Sequence, residues 1–191
     1  MRLFAERGVT QVTVSDLAEA AGVARGTVYN NLASPDSLFE DVATRLTTEM
    51  EARIAAGSAG TLDPAQRLAD GIRFFVRRAH EDPLWGRFLV RFGATTPTLR
   101  GLLEGAPTQD LRQGVEEGRF DLRPDQLASA VTVMSGSVLA AMSLVLEGHR
   151  TWRDAGSDTA ELVLRALGRP ADEARTLATT DLPPLPVGVG A

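Results

Sequence analysis

Residues 13–32, Thr-Val-Ser-Asp-Leu-Ala-Glu-Ala-Ala-Gly-Val-Ala-Arg-Gly-Thr-Val-Tyr-Asn-Asn-Leu, read as two short helices joined by a glycine turn. Val14, Leu17, Ala18 and Ala21 fall at i, i+3, i+4 and i+7, which is one face of a helix. Thr13 and Asp16 have capping-box spacing, so the helix starts at Val14. Ala18 is small enough for a second helix to cross closely. Gly22 follows the last periodic residue, where a left-handed turn suits a residue without Cβ, and Val23 is expected to plug the corner. The second helix, Arg25 to Asn31, is anchored by Val28 and Leu32. Its remaining positions, Arg25, Gly26, Thr27, Tyr29, Asn30 and Asn31, fall off the buried face. Arg and Asn carry the forked donors and acceptors that match guanine and adenine edges, and Thr and Tyr hydroxyls suit phosphate oxygens. The unit has the shape and side chains of a helix-turn-helix that lies in a DNA groove.

This stretch resembles the N-terminal domain of the TetR family of bacterial transcriptional repressors. The resemblance rests on Leu3-Phe4, Gly8, Thr13-Val14, Asp16-Leu17-Ala18, Ala21-Gly22-Val23, Arg25-Gly26-Thr27-Val28-Tyr29, Ser34 and Leu38. Its specific motifs lie within residues 1–55; beyond them only the helical layout agrees. Three departures stand out. Asn31-Leu32 replaces the family's His-Phe, which removes a ring from the core. Pro35 stands where a Lys is usual, although Ser34-Pro35-Asp36 still makes a good helix start: Ser as N-cap, Pro at the first helical position, an acid in the first turn. Met1 falls inside what should be the first helix, so the natural start is expected upstream, or residues have been trimmed.

Composition narrows the function classes. A chain of 191 residues, 43% hydrophobic, can bury a core as one large domain or a small one plus a medium one. It has no cysteine, which removes disulfides, thiolate metal sites and cysteine nucleophiles together. Met1-Arg2-Leu3-Phe4-Ala5-Glu6 reaches a charge too soon for a signal peptide, and a cytoplasmic protein is expected. All 20 basic residues are Arg, so every cationic contact is a planar fork rather than a point charge. The net charge of −5 does not advertise a nucleic-acid binder. Within the first forty residues Arg2, Arg7 and Arg25 face Glu6, Asp16, Glu19, Asp36 and Glu40. Either phosphate is held by hydroxyls and helix N-termini, for which Thr13, Ser15, Thr27, Ser34 and Ser37 are placed, or an absent N-terminal arm supplies the basic charge.

The rest reads as helices. Residues 35–56 carry Leu38, Val42, Leu46, Met50 and Ile54 at a spacing of four, ending at Gly57-Ser58-Ala59-Gly60. Asp63-Pro64 starts the next helix, with Leu68, Ile72, Phe75, Val76 and Ala79 on its apolar face. Pro83 begins another, striped by Leu84, Trp85, Phe88, Leu89 and Phe92. Residues 97–118 read as helix broken at Gly105-Ala106-Pro107. Residues 127–146 carry no charge, but Ser129, Thr132, Ser135, Gly136, Ser137 and Ser143 and the absence of an aromatic belt argue against a membrane span. A helix apolar all round is more simply buried on both sides. Its companion is residues 157–168, with Asp158 and Glu161 at capping-box spacing, Ala160, Val163, Leu164 and Leu167 as the stripe, and Gly168 as the stop. A last helix runs from Pro170 to about Thr179, and the proline-rich tail is extended.

The chain is therefore expected to be all-α: a helix-turn-helix head over residues 1–45, a ligand-binding and dimerisation body over 46–180, and a tail over 181–191. His80 and His149 stand alone beside acids, as at solvated helix ends. No metal cluster, phosphate loop or nucleophile elbow is legible, so no cofactor, metal or enzymatic role is expected. The resemblance implies a homodimer through residues 124–148 and 157–168, a palindromic double-stranded DNA operator, and an unidentified small-molecule effector that releases the DNA. Candidate cavity residues are Phe75, Trp85, Phe88, Phe92, Met134, Val138 and Met142, with Arg78, Arg91 or Trp152 as a polar handle; each taken singly also reads as ordinary core. The competing reading is a helical ligand-binding or scaffold protein with weak or lost DNA binding.

The acidic head leads to a shallow salt dependence of DNA affinity. A titration of the binding constant against salt checks this; a slope equivalent to about six or more phosphates would contradict it.

Overall fold

Most of the helices start where a short polar side chain or a proline meets an apolar stripe. The fold was obtained as a computed structural model and describes residues 1–8, 12–31, 35–58 and 60–184. In chain order the helices are α1 (Arg2–Arg7), α2 (Val14–Ala21), α3 (Arg25–Asn31), α4 (Pro35–Gly57), α5 (Pro64–Glu81), α6 (Pro83–Phe92), α7 (Pro97–Glu116), α8 (Leu127–Leu146), α9 (Trp152–Ala166) and α10 (Ala171–Thr179). A 3-10 turn, Pro124–Gln126, leads into α8. No strand occurs among the described residues. Leu32, Ser34, Ala59 and residues 185–191 of the tail lie outside them.

In the head, Thr13 caps α2 as the spacing predicts. Its Oγ1 accepts the Asp16 N–H at 3.2 Å, and Asp16 Oδ2 accepts the Thr13 N–H at 2.8 Å. Gly22 takes the left-handed conformation at φ 66° and ψ 29°. Its N–H returns to the Ala18 and Glu19 carbonyls, and the Val23 N–H bonds the Ala18 carbonyl at 3.0 Å. The corner is thus closed by backbone hydrogen bonds rather than by a plug, and the Val23 side chain is 42% exposed. Leu17, Ala18 and Val28 supply the buried contact between the two helices.

α5 is the axis of the body. It packs against α6, α7, α8, α9 and α10, and burial runs almost all around it. Two charged residues lie within that burial, Asp70 and Arg73, with Arg73 Nη1 3.4 Å from Asp70 Oδ1 and Gln66 Nε2 donating to the same oxygen at 2.9 Å. Burial pushes the Asp70 carboxyl up and the Arg73 guanidinium down, each offset in part by the other. Removing one partner would leave an uncompensated buried charge.

Three elements depart from the sequence expectation. α7 is continuous through Pro107. Proline has no N–H for the Leu103 carbonyl, and the Ser135 hydroxyl of α8 lies 3.3 Å from that oxygen, sharing its proton with the Val131 carbonyl at 2.9 Å. α9 begins at Trp152 rather than at 157, because Thr151 and Asp154 form the cap: Thr151 Oγ1 accepts the Asp154 N–H at 3.1 Å and donates to its carboxylate at 2.8 Å. Asp158, the expected cap, instead binds Arg150. On α4 the fully buried row is Phe39, Ala43, Met50 and Arg53, while Leu38, Val42, Leu46 and Ile54 are only partly buried. That helix is contacted from two sides, by α7 along its length and by rings of α1 and α6 at Phe39.

One segment, Pro124–Leu146, is long and apolar enough to cross a membrane, with mean hydropathy 1.8. Its inward face, Val131, Met134, Ser135, Val138, Ala141 and Met142, is committed to the body. Nearby, α7 ends against Phe120 so closely that only glycine fits at 114: a Cβ there would stand 2.1 Å from Phe120 Cδ2. Gly114→Ala should therefore destabilise the protein by about 1–3 kcal/mol through overpacking. Chemical denaturation checks this, and an unchanged midpoint would contradict the packing described.

Candidate DNA-reading surface and central cavity

The exposed face of the head is assembled by the caps just described. Arg25, Gly26 and Thr27 stand exposed at the start of α3, held there by buried Val28. Arg25 makes no ion pair among the described residues. Ala24, which precedes the helix, has no side-chain oxygen to cap it, and its carbonyl accepts the Thr27 N–H at 2.9 Å. A Cβ added at Gly26 would meet nothing within 4 Å, so packing inside the chain does not require glycine there. Thr13 is exposed, but its hydroxyl is spent on Asp16, donating to Oδ2 at 2.7 Å. Ser15 and Ser37 are half-buried. Ser34 and the side chains of Tyr29, Asn30 and Asn31 lie outside the described residues.

Head and body meet at an aromatic joint. Phe39 of α4 has Phe4 of α1 edge-on at 5.4 Å, Phe92 of α6 edge-on at 5.0 Å and Phe88 of α6 at 5.4 Å. Arg91 of α6 reaches across the same seam, and its Nη1 donates to the Ala5 and Glu6 carbonyls at 2.9 and 3.0 Å. A body side chain therefore satisfies carbonyls at the C-terminal end of α1, which is too short to hold itself.

A cavity of about 230 Å³ lies between α4, α5, α7 and α8. α4 contributes Glu51, Ile54 and Ala55, with Ser58 just past its end; α5 contributes Arg67, Leu68, Gly71, Ile72 and Phe75. α7 adds Leu102, Leu103, Ala106, Pro107, Gln109 and Asp110, and α8 adds Met134 and Val138. Of the seven residues expected from the sequence, Phe75, Met134 and Val138 are in this wall. Trp85, Phe88, Phe92 and Met142 are not. Phe88 and Phe92 belong to the aromatic joint, Trp85 stacks at 6.0 Å from Phe75 from the far side, and Met142 is sealed in the core.

The polar handle also differs. Arg78 pairs with Glu49 and Asp82, Arg91 caps α1, and Trp152 lies under the guanidinium groups of Arg77 and Arg153. The polar wall is instead Arg67 with Asp110, Nε to Oδ1 at 2.7 Å. Burial pushes the Asp110 carboxyl up, and the bond from Arg67 offsets part of that. The two residues are far apart in the chain, and each alone reads as a solvated charge. The one available signal was that Asp110 shares a helix stripe with apolar Leu103 and Ala106.

A second surface is apolar and uncovered. Val133 and Leu144 of α8 and Leu162 of α9 are 62%, 42% and 63% exposed, on the outer sides of two helices packed on each other.

Comparisons with known proteins agree with this geometry. A family profile described as "Bacterial regulatory proteins, tetR family" matches residues 1–42, and one described as "Tetracyclin repressor-like, C-terminal domain" matches residues 63–180. The crystal structure of RolR in complex with resorcinol superposes with a TM-score of 0.75 at 33% identity, over 96% of this chain and 91% of that one. RolR without ligand gives 0.73 at 32% identity, over 96% and 95%. An uncharacterized HTH-type transcriptional regulator of Mycobacterium tuberculosis is 28% identical over 104 residues, 54% of this chain. That match spans only half the length of the mycobacterial protein. The HTH-type transcriptional repressor KstR2 of Rhodococcus jostii is 42% identical over 40 residues, 21% of this chain and 20% of its own.

Arg91→Met should uncap α1 while leaving the body packed. Amide exchange at residues 1–8 would then rise by about tenfold or more, the equivalent of a charged hydrogen bond. Hydrogen-exchange mass spectrometry reads this directly, and unchanged exchange at the N-terminus would refute the role of Arg91.

Proposed function

The chain belongs to the TetR family of bacterial transcriptional regulators, and from that premise we propose that it is a homodimeric repressor, released from a palindromic operator by a small molecule. The fold and domains are those of a regulator rather than an enzyme. In this reading residues 1–45 form the DNA-binding head, residues 46–180 the ligand-binding and dimerisation body, and residues 181–191 a tail, all acting in the cytoplasm.

The observation that carries the reading is the N-terminus of α3. Arg25 is exposed without an ion-pair partner among the described residues, Gly26 leaves open space, and Thr27 follows on the exposed face. An arginine in that position is free to reach a guanine edge, and a glycine beside it lets the DNA backbone approach. Tyr29, Asn30 and Asn31 are assigned to the same surface from the sequence, with Ser34 and Ser37 toward phosphate. Thr13 and Ser15 contribute through the start of α2 rather than through a free hydroxyl at Thr13.

Dimerisation follows from the uncovered apolar face. Val133, Leu144 and Leu162 stand on the outer sides of α8 and α9, and two copies of that pair make a four-helix interface through residues 124–148 and 152–168. A two-fold axis there presents two α3 helices to successive major grooves, roughly 34–36 Å apart.

Release runs through α4. Three cavity residues, Glu51, Ile54 and Ala55, lie on that helix with Ser58 just past its end, and its other end holds Phe39 at the head. A ligand that binds better to one placement of α4 shifts the population of head positions by that difference in affinity. RolR is a relative of nearly full coverage whose structure contains resorcinol, which supports a small-molecule effector here.

The acidic head is the observation that favours the alternative, a helical ligand-binding or scaffold protein that has lost DNA recognition. Fluorescence anisotropy with DNA from upstream of the protein's own gene separates the two. Specific binding by a dimer is expected, weakened about five- to hundredfold by Arg25→Ala. Val133→Glu should convert the dimer to monomer in light scattering and abolish operator binding. No binding at low salt, or wild-type affinity and selectivity in Arg25→Ala, would defeat the repressor reading.

A further inference from the structure

The size of the central cavity limits its occupant. A cavity of roughly 150 Å³ encloses a benzene ring, and sites for drug-sized ligands run from about 300 Å³ upward. At about 230 Å³ this cavity holds one six-membered ring with a few small substituents.

Its polar wall limits the chemistry further. Arg67 is the one cation in the lining, and it is nearly exhausted. Nε donates to Asp110 Oδ1, Nη1 to the Thr61 and Leu62 carbonyls at 3.2 and 2.6 Å, and Nη2 to Gln113 Oε1. Asp110 is the opposite case. Its Oδ1 is taken by Arg67, while its Oδ2 accepts no hydrogen bond among the described residues. The wall therefore offers an anionic acceptor and, beyond one N–H of Arg67, only the neutral donors of Ser58 and Gln109.

We infer that the cavity binds a neutral, single-ring ligand carrying a hydroxyl group that donates to Asp110 Oδ2, with Arg67 as the positioning residue that aims the carboxylate. An anionic ring would set its charge against Asp110 and Glu51, with one N–H of Arg67 and the neutral donors of Ser58 and Gln109 in return. A cationic ligand would be stripped of water among Ile72, Phe75, Leu103 and Met134 beside a carboxylate whose charge Arg67 already balances, leaving only the exposed, solvated Glu51 to offset the cost. The upward push that burial gives Asp110 fits a carboxylate lacking one donor, which a ligand hydroxyl supplies. The inference rests on the cavity being the effector site, and it adds the ligand's charge state, size and polar anchor.

Calorimetry on the full chain tests it with four probes of one ring size: resorcinol, toluene, benzoate and benzylamine. Resorcinol should bind most tightly. Asp110→Asn turns an amide N–H₂ toward the ligand and should weaken resorcinol about ten- to hundredfold, with toluene unchanged within about twofold as the control for folding. Gly71→Leu, which points a side chain into open space on the cavity wall, should abolish binding of resorcinol and toluene alike. Benzoate or benzylamine binding better than resorcinol, and lost in Gly71→Leu, would overturn the inference while leaving the cavity as an effector site. Resorcinol binding that survives Gly71→Leu, or that Asp110→Asn leaves intact, would overturn the placement. Absence of binding by all four probes would overturn the inference too, and operator affinity indifferent to Gly71→Leu would then count against the effector reading as well.

Discussion

The four phenylalanine rings around Phe39 are the constraint on which the rest of the structure depends. Phe4, Phe39, Phe88 and Phe92 come from three helices, and no other cluster of rings joins head to body among the described residues. Each edge-on pair contributes about 0.5–1.5 kcal/mol beyond the area it buries. Arg91 adds its two bonds to α1 at the same seam. Because Phe39 sits near the start of α4 and the cavity residues sit near its end, a single rigid helix connects the space under the body to the orientation of the head.

Charge is used sparingly and mostly internally. Three arginines of the body are committed: Arg73 to Asp70, Arg67 to Asp110, and Arg119 to Asp63 and Glu173. The Asp63 carboxyl shows the outcome, since burial acts to raise it but the bonds from Arg119 and the Ala65 N–H hold it below its ordinary value. The pairs of Arg67 and Arg119 tie α5 and its cap to α7 and α10, where a planar guanidinium holds direction better than an ammonium would. Arg25, by contrast, has no ion-pair partner among the described residues and stands exposed on the head.

Much of the fold was legible because helix starts are local events. Thr13 with Asp16, Asp63 with Pro64, and Gly22 act within one turn of chain, and the structure places each where its spacing predicted. The errors were local competitions and long-range rescues. Two caps competed for the start of α9, and Thr151-Asp154 prevailed over Asp158-Glu161. Pro107 was expected to break α7, but a serine hydroxyl from α8 covers the carbonyl it leaves.

The sequence by itself determined the helix-turn-helix, the all-α class and the apolar helices of the body, since capping, turn conformation and stripe periodicity depend on neighbours a few residues away. Only the tertiary structure decided which aromatic residues line a cavity and which hold the head. Phe75 and Phe88 have the same chemistry and the same helical periodicity, and what separates them is the partner that packing brings from elsewhere in the chain. The same holds for Arg67 and Asp110, 43 positions apart. Their pairing turns two ordinary surface charges into the polar wall of the cavity, because only folding removes them from water together.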